Sequence, residues 1–264
     1  MNRIIINKSE VSHSGAIHLV SKGQSEDTRA EHILHHLGAK VGSQLKVTIP
    51  DMGLGVARVE KIGPTSGQVE LQLISKMSEL EQGARRYIHL WVARCRPPSA
   101  KKIIEHSVGL PVKTITFFDA ILGDKSFKTS KVYKQDTVQK LLTDGLSQAG
   151  NYHTFPTVEL KEISLKHLIH EGHHEGHLTH FLDCERSSLI SSISEPDRKS
   201  IDKGHKDLFL AIGPERGWSQ TELELLKRAN FVPTHLGSGI HRVEIACFVA
   251  LGQVEMLVLA SQDK

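Results

Sequence analysis

The sequence predicts an α/β protein, with a large carboxyl-terminal domain built on a mainly parallel sheet and a small β-rich domain before it. Three observations predict it. From residue 87 onward, short apolar runs alternate with longer helical stretches, which is the signature of strands joined by crossover helices. Before residue 76 the apolar runs alternate with polar residues and stop at Gly or Pro turn signals. Between them the chain turns polar and charged (Lys76, Glu79, Glu81, Gln82, Gly83, Arg85, Arg86). A boundary there divides the chain into residues 1–76 and 77–264.

In the first domain, Arg3–Ile6, Leu45–Ile49, Gly55–Ile62 and Val69–Leu73 read as strands. Pro50-Asp51-Met52-Gly53 and Gly63-Pro64 are turn signals. Gly53-Leu54-Gly55 reads as a hairpin turn, and His32–Leu37, stopped by Gly38, as a short helix. A small β-barrel with one helix fits this pattern. In the second domain, strands are expected at Tyr87–Ala93, Lys113–Phe118, His180–Leu182 and Leu208–Ile212. Helices are expected at Ala100–Val108, Lys131–Gln148, Ser219–Asn230 and Arg242–Leu259.

Composition narrows the function classes. Apolar residues make up 39% and charged residues 24%, an ordinary globular balance. A net charge of +3 excludes a histone-like blanket of cations but permits a local phosphate-gripping patch. Arg94, Arg96, Lys101 and Lys102 are candidates for one. Cys95, Cys184 and Cys247 form no CxxC pair, so a reducing, cytoplasmic setting is expected. The apolar start Ile4-Ile5-Ile6 is too short for a signal peptide or a span, and no membrane association is expected.

Two stretches carry chemistry. In Leu208–Glu222 a buried strand runs into Gly213-Pro214-Glu215-Arg216-Gly217, and Ser219 and Glu222 then have capping-box spacing. Glycines let backbone approach a ligand closely, although a tight turn alone explains this stretch as well. In Leu236-Gly237-Ser238-Gly239-Ile240-His241-Arg242-Val243-Glu244, a second glycine loop opens a helix. Glu near a helix N-terminus is favourable and Arg is not, so Arg242 is expected to have another task; a salt bridge with Glu244 is the plainer explanation of the pair.

These stretches resemble the carboxyl-terminal signature of the 16S ribosomal RNA methyltransferase E family, a branch of the knotted SPOUT superfamily. Ile212-Gly213-Pro214-Glu215, Gly217, Ser219, Glu222, Leu236-Gly237, Ile240, Arg242, Glu244 and Ala246 match it in order and spacing. The similarity spans nearly the whole chain but reaches motif grade only after residue 208. It implies a trefoil-knotted carboxyl-terminal domain, a PUA-like amino-terminal barrel that contacts RNA, and a homodimer. It implies methylation of N3 of a uridine in ribosomal RNA of the small subunit, with S-adenosyl-L-methionine as donor. The donor would sit against Leu182, Ile212, Gly213, Pro214, Glu215, Gly217, Leu236, Gly237, Ile240 and His241. Arg242 and Glu244 would face the reacting region as catalytic groups, and Arg216 and Asn151 would face the substrate. Another RNA target, or an inactive RNA-binding protein of the same fold, are the alternatives.

The chain departs from the family pattern at informative places. Arg216 stands where the family has Gly, Gly239 where it has Arg, and Asn151 where another Arg falls. We expect Arg216 to replace the guanidinium missing at Gly239. The donor side is thus better kept than the substrate side, where each lost cation weakens phosphate contact. Trp218 replaces a Phe and is expected to pack beneath the donor. The string His170-Glu171-Gly172-His173-His174 has zincin spacing, but its glycines weaken a helix. It reads as a solvated polar loop, and no metal site is expected.

Overall fold

The computed structural model describes residues 3–20, 27–63, 67–183 and 188–261; Cys184 and the Pro64 turn signal lie outside them. The chain forms two compact units, Met1–Ala84 with Leu146–Phe155, and Arg85–Gly145 with Pro156–Lys264.

The first unit is a five-stranded sheet of β1 (Ile4–Ile5), β2 (Ala16–Val20), β3 (Gln44–Ile49), β4 (Gly53–Ile62) and β5 (Gln68–Leu73). Its order is β1-β3-β4-β5-β2, antiparallel except for the β1–β3 pair. Alternation sets the core: Ile17 and Leu19, Val47 and Ile49, and Val69, Leu71 and Leu73 are buried, as period-two side-chain placement requires. Helix α1 (Arg29–Glu31) passes directly into a π-helical turn, His32–His36. Gly53-Leu54-Gly55 is not the hairpin turn expected of it. The turn lies at 50–52, and Gly53 opens β4. Leu80 packs across this strand start: a Cβ on Gly53 would lie 2.7 Å from Leu80 Cβ, and one on Gly55 2.8 Å from Leu80 Cδ2.

In the second unit, seven strands pair in parallel throughout. They are β6 (Ile88–Ala93), β7 (Val112–Asp119), β8 (Thr157–Ser164), β9 (Leu178–Leu182), β10 (Ser188–Leu189), β11 (Leu208–Ile212) and β12 (Val232–His235). The order is β10-β12-β9-β11-β6-β7-β8. Every residue of the central strand β11 is buried, as a parallel strand covered on both faces must be.

The helices are α2 (Pro97–His106), α3 (Gln135–Gln148), α4 (Leu165–His170), α5 (Glu195–Asp202), α6 (Gln220–Arg228) and α7 (Val243–Leu259). Leu165 and Leu168 of α4 and Leu226 of α6 join Trp91, Phe181 and Phe209 in one core. Helices α2 and α5 pack against α7, which also touches β11. At the amino ends of the strands, buried Asp207 accepts from Lys113 Nζ at 2.8 Å, pairs with His89 Nε2 at 3.2 Å and binds the Arg85 guanidinium. That edge is held by ion pairs, and the carboxyl edge is left to the loops.

Candidate active site

Strands β12, β9 and β11 are neighbours and run in one direction. Leu182, Ile212 and Leu236 therefore come together at their carboxyl ends, where open parallel sheets bind ligands. The first loop turns at Gly217, with φ +74° and an amide donating to Pro214 O at 2.8 Å. Trp218 folds back over Gly213, where a Cβ would meet its ring at 3.0 Å. The Trp218 Nε1–H donates to Leu182 O at 2.9 Å, tying the β11 loop to the end of β9. The ring also stacks on Phe118 at 6.2 Å and meets Phe181 edge-on.

The capping box read from spacing closes this loop. Ser219 Oγ lies 2.7 Å from Glu222 Oε2, and the Ser219 amide donates to the same oxygen at 3.0 Å. Glu222 is buried, and its other oxygen accepts the Ile121 amide at 2.9 Å. Glu215 reaches sideways to accept the Arg96 amide, the N-cap of α2, at 2.8 Å. Both carboxylates thus fasten neighbouring chain segments to the glycine loop.

The second loop leaves β12 and runs exposed from Gly237 to Arg242. His235 Nδ1 accepts the Gly237 amide at 3.2 Å, and Gly237 has φ +132°. Arg242 is the N-cap of α7, and Ile240 is 85% exposed. Arg216 and His241 are exposed as well. Neither Arg242 nor Arg216 has a carboxylate partner among the described residues.

Glu244 is different. It is 3% exposed, and its carboxylate accepts from Ser99 Oγ at 2.7 Å and meets Lys102 Nζ at 3.5 Å. Burial opposes its ionisation, but the Ser99 hydroxyl, a backbone amide and Lys102 outweigh that and hold the carboxyl below its usual range. Its partner is not Arg242, as the sequence allowed, but α2. Lys102, a candidate for the RNA-facing patch, meets Glu244 at 3.5 Å while its side chain remains 53% exposed. Ser99 was missed: a lone Ser in the first turn of a helix carries no distinguishing signal.

Cys95 and Cys247 are buried here as free thiols. Burial first of all pushes the Cys95 thiol up to about 12, so no reactive thiolate forms at neutral pH. Asn151 belongs to the first unit, where its carbonyl accepts the Ala84 amide at 2.7 Å. The His170–His174 string is the end of α4 and a turn. His174 is buried rather than solvated, packing on Trp91 at 5.5 Å and Phe231 at 5.3 Å. Among the described residues no group of three or more His, Cys, Asp or Glu is placed to hold a metal ion.

A family described as RNA methyltransferase domain matches residues 83–255. The chain is 28% identical over 229 residues to ribosomal RNA small subunit methyltransferase E 1 of Borreliella burgdorferi, covering 85% of this chain and 88% of that protein. It is 25% identical over 254 residues to ribosomal RNA small subunit methyltransferase E of Treponema pallidum, covering 96% and 90%. The crystal structure of ribosomal RNA small subunit methyltransferase E from Neisseria gonorrhoeae, bound to S-adenosyl methionine, superposes with a TM-score of 0.71. It is 15% identical, with 98% of each chain covered.

Proposed function

Because the chain belongs to the RNA methyltransferase family, we propose that it transfers the methyl group of S-adenosyl-L-methionine to small-subunit ribosomal RNA, at N3 of a uridine. The observation that carries this reading is the pair of glycine loops at the carboxyl ends of three adjacent parallel strands. The residues suit such a donor. A Cβ at Gly217 or Gly237 would meet nothing within 4 Å, so the backbone there is open to a ligand. Leu182, Ile212 and Leu236 supply apolar contact for a flat heterocycle, and the loop amides supply donors for its polar edge.

When bound, the sulfonium group supplies an electrophilic methyl. The protein's share is orientation and charge. Uracil N3 gives its proton to water before it attacks, and the imide anion so formed carries negative charge until the methyl arrives. The Arg242 guanidinium, exposed without an ion pair among the described residues, is available to stabilise that charge. Arg216, on the facing loop, supplies a second cation. Glu244, held as a carboxylate by two donors, is a poor proton acceptor; its role is to fix the first turn of α7 and with it Arg242.

Calorimetry tests this reading. The purified protein is expected to bind S-adenosyl-L-methionine, and Gly213→Arg to abolish binding by displacing Trp218. Arg242→Ala is expected to keep binding but to lower methylation of small subunits by about 100-fold or more. A folded wild-type protein that does not bind the donor would overturn the proposal.

The homodimer belongs to the same reading. Only Glu244 and Glu255 among the 17 residues of α7 are charged, and a helix apolar all round wants cover on every side. Ile245, Met256 and Leu259 are nonetheless exposed. With Val249 and Gly252 they recur every three or four residues along one face, which a second copy would cover. A trefoil knot is supported by the path after β12: from beyond β9, the chain returns through α7 to β11. The five-stranded first unit is read as the PUA-like module. No helix among the described residues is long and apolar enough to cross a membrane; a cytoplasmic location follows from the proposed substrate.

A further inference from the structure

Charge is unevenly placed along this chain. Residues 94–134 carry nine basic and three acidic side chains, whereas the whole chain has a net charge of only +3. Half of this excess gathers in the loop after β7, where four lysines stand against Asp124. There, Lys125 and Lys128 lie three residues apart in a 3₁₀ helix, Lys125–Thr129. Three residues make one turn of such a helix, so these side chains project on one side. Lys131 opens a second 3₁₀ turn and Lys134 is its C-cap, again three residues on. Between them Val132 and Tyr133 are buried, which pins the segment while both lysines stay exposed.

Pairing separates these lysines from several others in the second unit. Lys102, Lys113, Lys161, Lys199 and Lys206 each meet a carboxylate within 4.0 Å. Lys128 meets Asp119 and Glu162. Lys125, Lys131 and Lys134 meet none among the described residues, and neither do Arg96 and Arg216. Two carboxylates lie amid them: Asp124, bound first by the Ser126 hydroxyl and amide and acted on by Arg216 and Arg96 as well, and Glu215, which accepts the Arg96 amide at 2.8 Å. Like charges that outnumber their counter-charges repel one another, and a bound polyanion relieves that repulsion.

The loop is also fastened to the glycine loop. The Ile121 amide donates to Glu222, the Arg96 amide donates to Glu215, and the Tyr133 hydroxyl donates to Cys95 O at 2.8 Å. A strand lying along these cations is therefore delivered to the carboxyl edge of the sheet.

We propose that Lys125, Lys131 and Lys134, continued by Arg96 and Arg216, form a phosphate track that holds single-stranded RNA beside the two glycine loops. The proposal rests on the RNA methyltransferase reading and assigns its substrate a surface. The test uses the full-length protein and a 15-nucleotide oligouridylate, with binding followed by fluorescence anisotropy from low to high salt. The triple variant Lys125→Gln/Lys131→Gln/Lys134→Gln is expected to bind about tenfold or more weakly. Its plot of log affinity against log salt should flatten by about 2 units, because each phosphate contact on a single strand contributes roughly 0.7. A charge-matched control on α5 and the turn after it, Lys199→Gln/Lys203→Gln/Lys206→Gln, is expected to keep the wild-type slope. Donor binding by calorimetry should be unchanged in both variants, which separates this test from that of the donor site. A triple variant with wild-type affinity and slope overturns the proposal, and so does an equal loss in the α5 control.

Discussion

At the scale of single residues, His180 is the most exacting test of the interior. It lies on β9 between Leu210 of β11 and Val232 of β12, is 9% exposed, and its Nδ1 has no partner. Burial above all, only partly offset by Asp197, lowers its pKa from 6.5 to about 4. Unfolded, the imidazole takes up a proton as pH falls below 6.5; folded, it does so only near 4. Its contribution is therefore fully present above 6.5 and lost as pH falls toward 4, to a total of about 3 kcal/mol. In thermal melts across this range the wild type should lose stability relative to His180→Leu as the pH drops, because only the wild type carries the penalty. Parallel profiles would show that His180 titrates normally. His174 makes the related point that a His-rich string is not read reliably as surface, since its ring lies among Trp91, Phe209 and Phe231.

At the scale of elements, α3 shows how helix packing constrains a residue that propensity alone would replace. A Cβ on Gly145 would lie 2.0 Å from Glu105 O of α2. Alanine in a helix interior is ordinarily better than glycine by roughly 1 kcal/mol, but a backbone carbonyl cannot swing aside. Gly145→Ala is expected to destabilise the protein by about 1–3 kcal/mol, seen as a lower urea midpoint at unchanged slope. An equal or higher midpoint would mean that α2 and α3 yield freely. The expected helix from Lys131 begins only at Gln135, since Ser130 first caps a 3₁₀ turn at 131–133. Helix α5 and strand β12 escaped the sequence reading for physical reasons. Ile201 is the only buried side chain of α5, so its apolar period is faint. Pro233 sits inside β12, and proline argues against a strand from sequence alone.

At the scale of the whole molecule, the exposed stripe on α7 predicts the assembly. Met256 is 72% exposed, and an ammonium placed there would have to be buried unpaired in the proposed dimer. Met256→Lys should weaken self-association by on the order of 100-fold, read by sedimentation as monomer at concentrations where the wild type is dimeric. A monomeric wild type would sink the dimer outright, without touching the fold of either unit.

The alternation of strands with helices, both glycine loops and the Ser219–Glu222 cap were determined by the sequence itself, because each depends on neighbours a few residues away. Spacing and turn chemistry leave such local features in plain view. What surrounds the loops was decided only in three dimensions. Glu244 meets Ser99 and Lys102, Glu222 meets Ile121, and Glu215 meets Arg96, each across more than a hundred residues of chain. Residues 146–155 join a unit whose other members end at Ala84. Contacts of this kind leave no period in the sequence, since the sheet order β9-β11-β6-β7, and not the order of residues, brings the partners together.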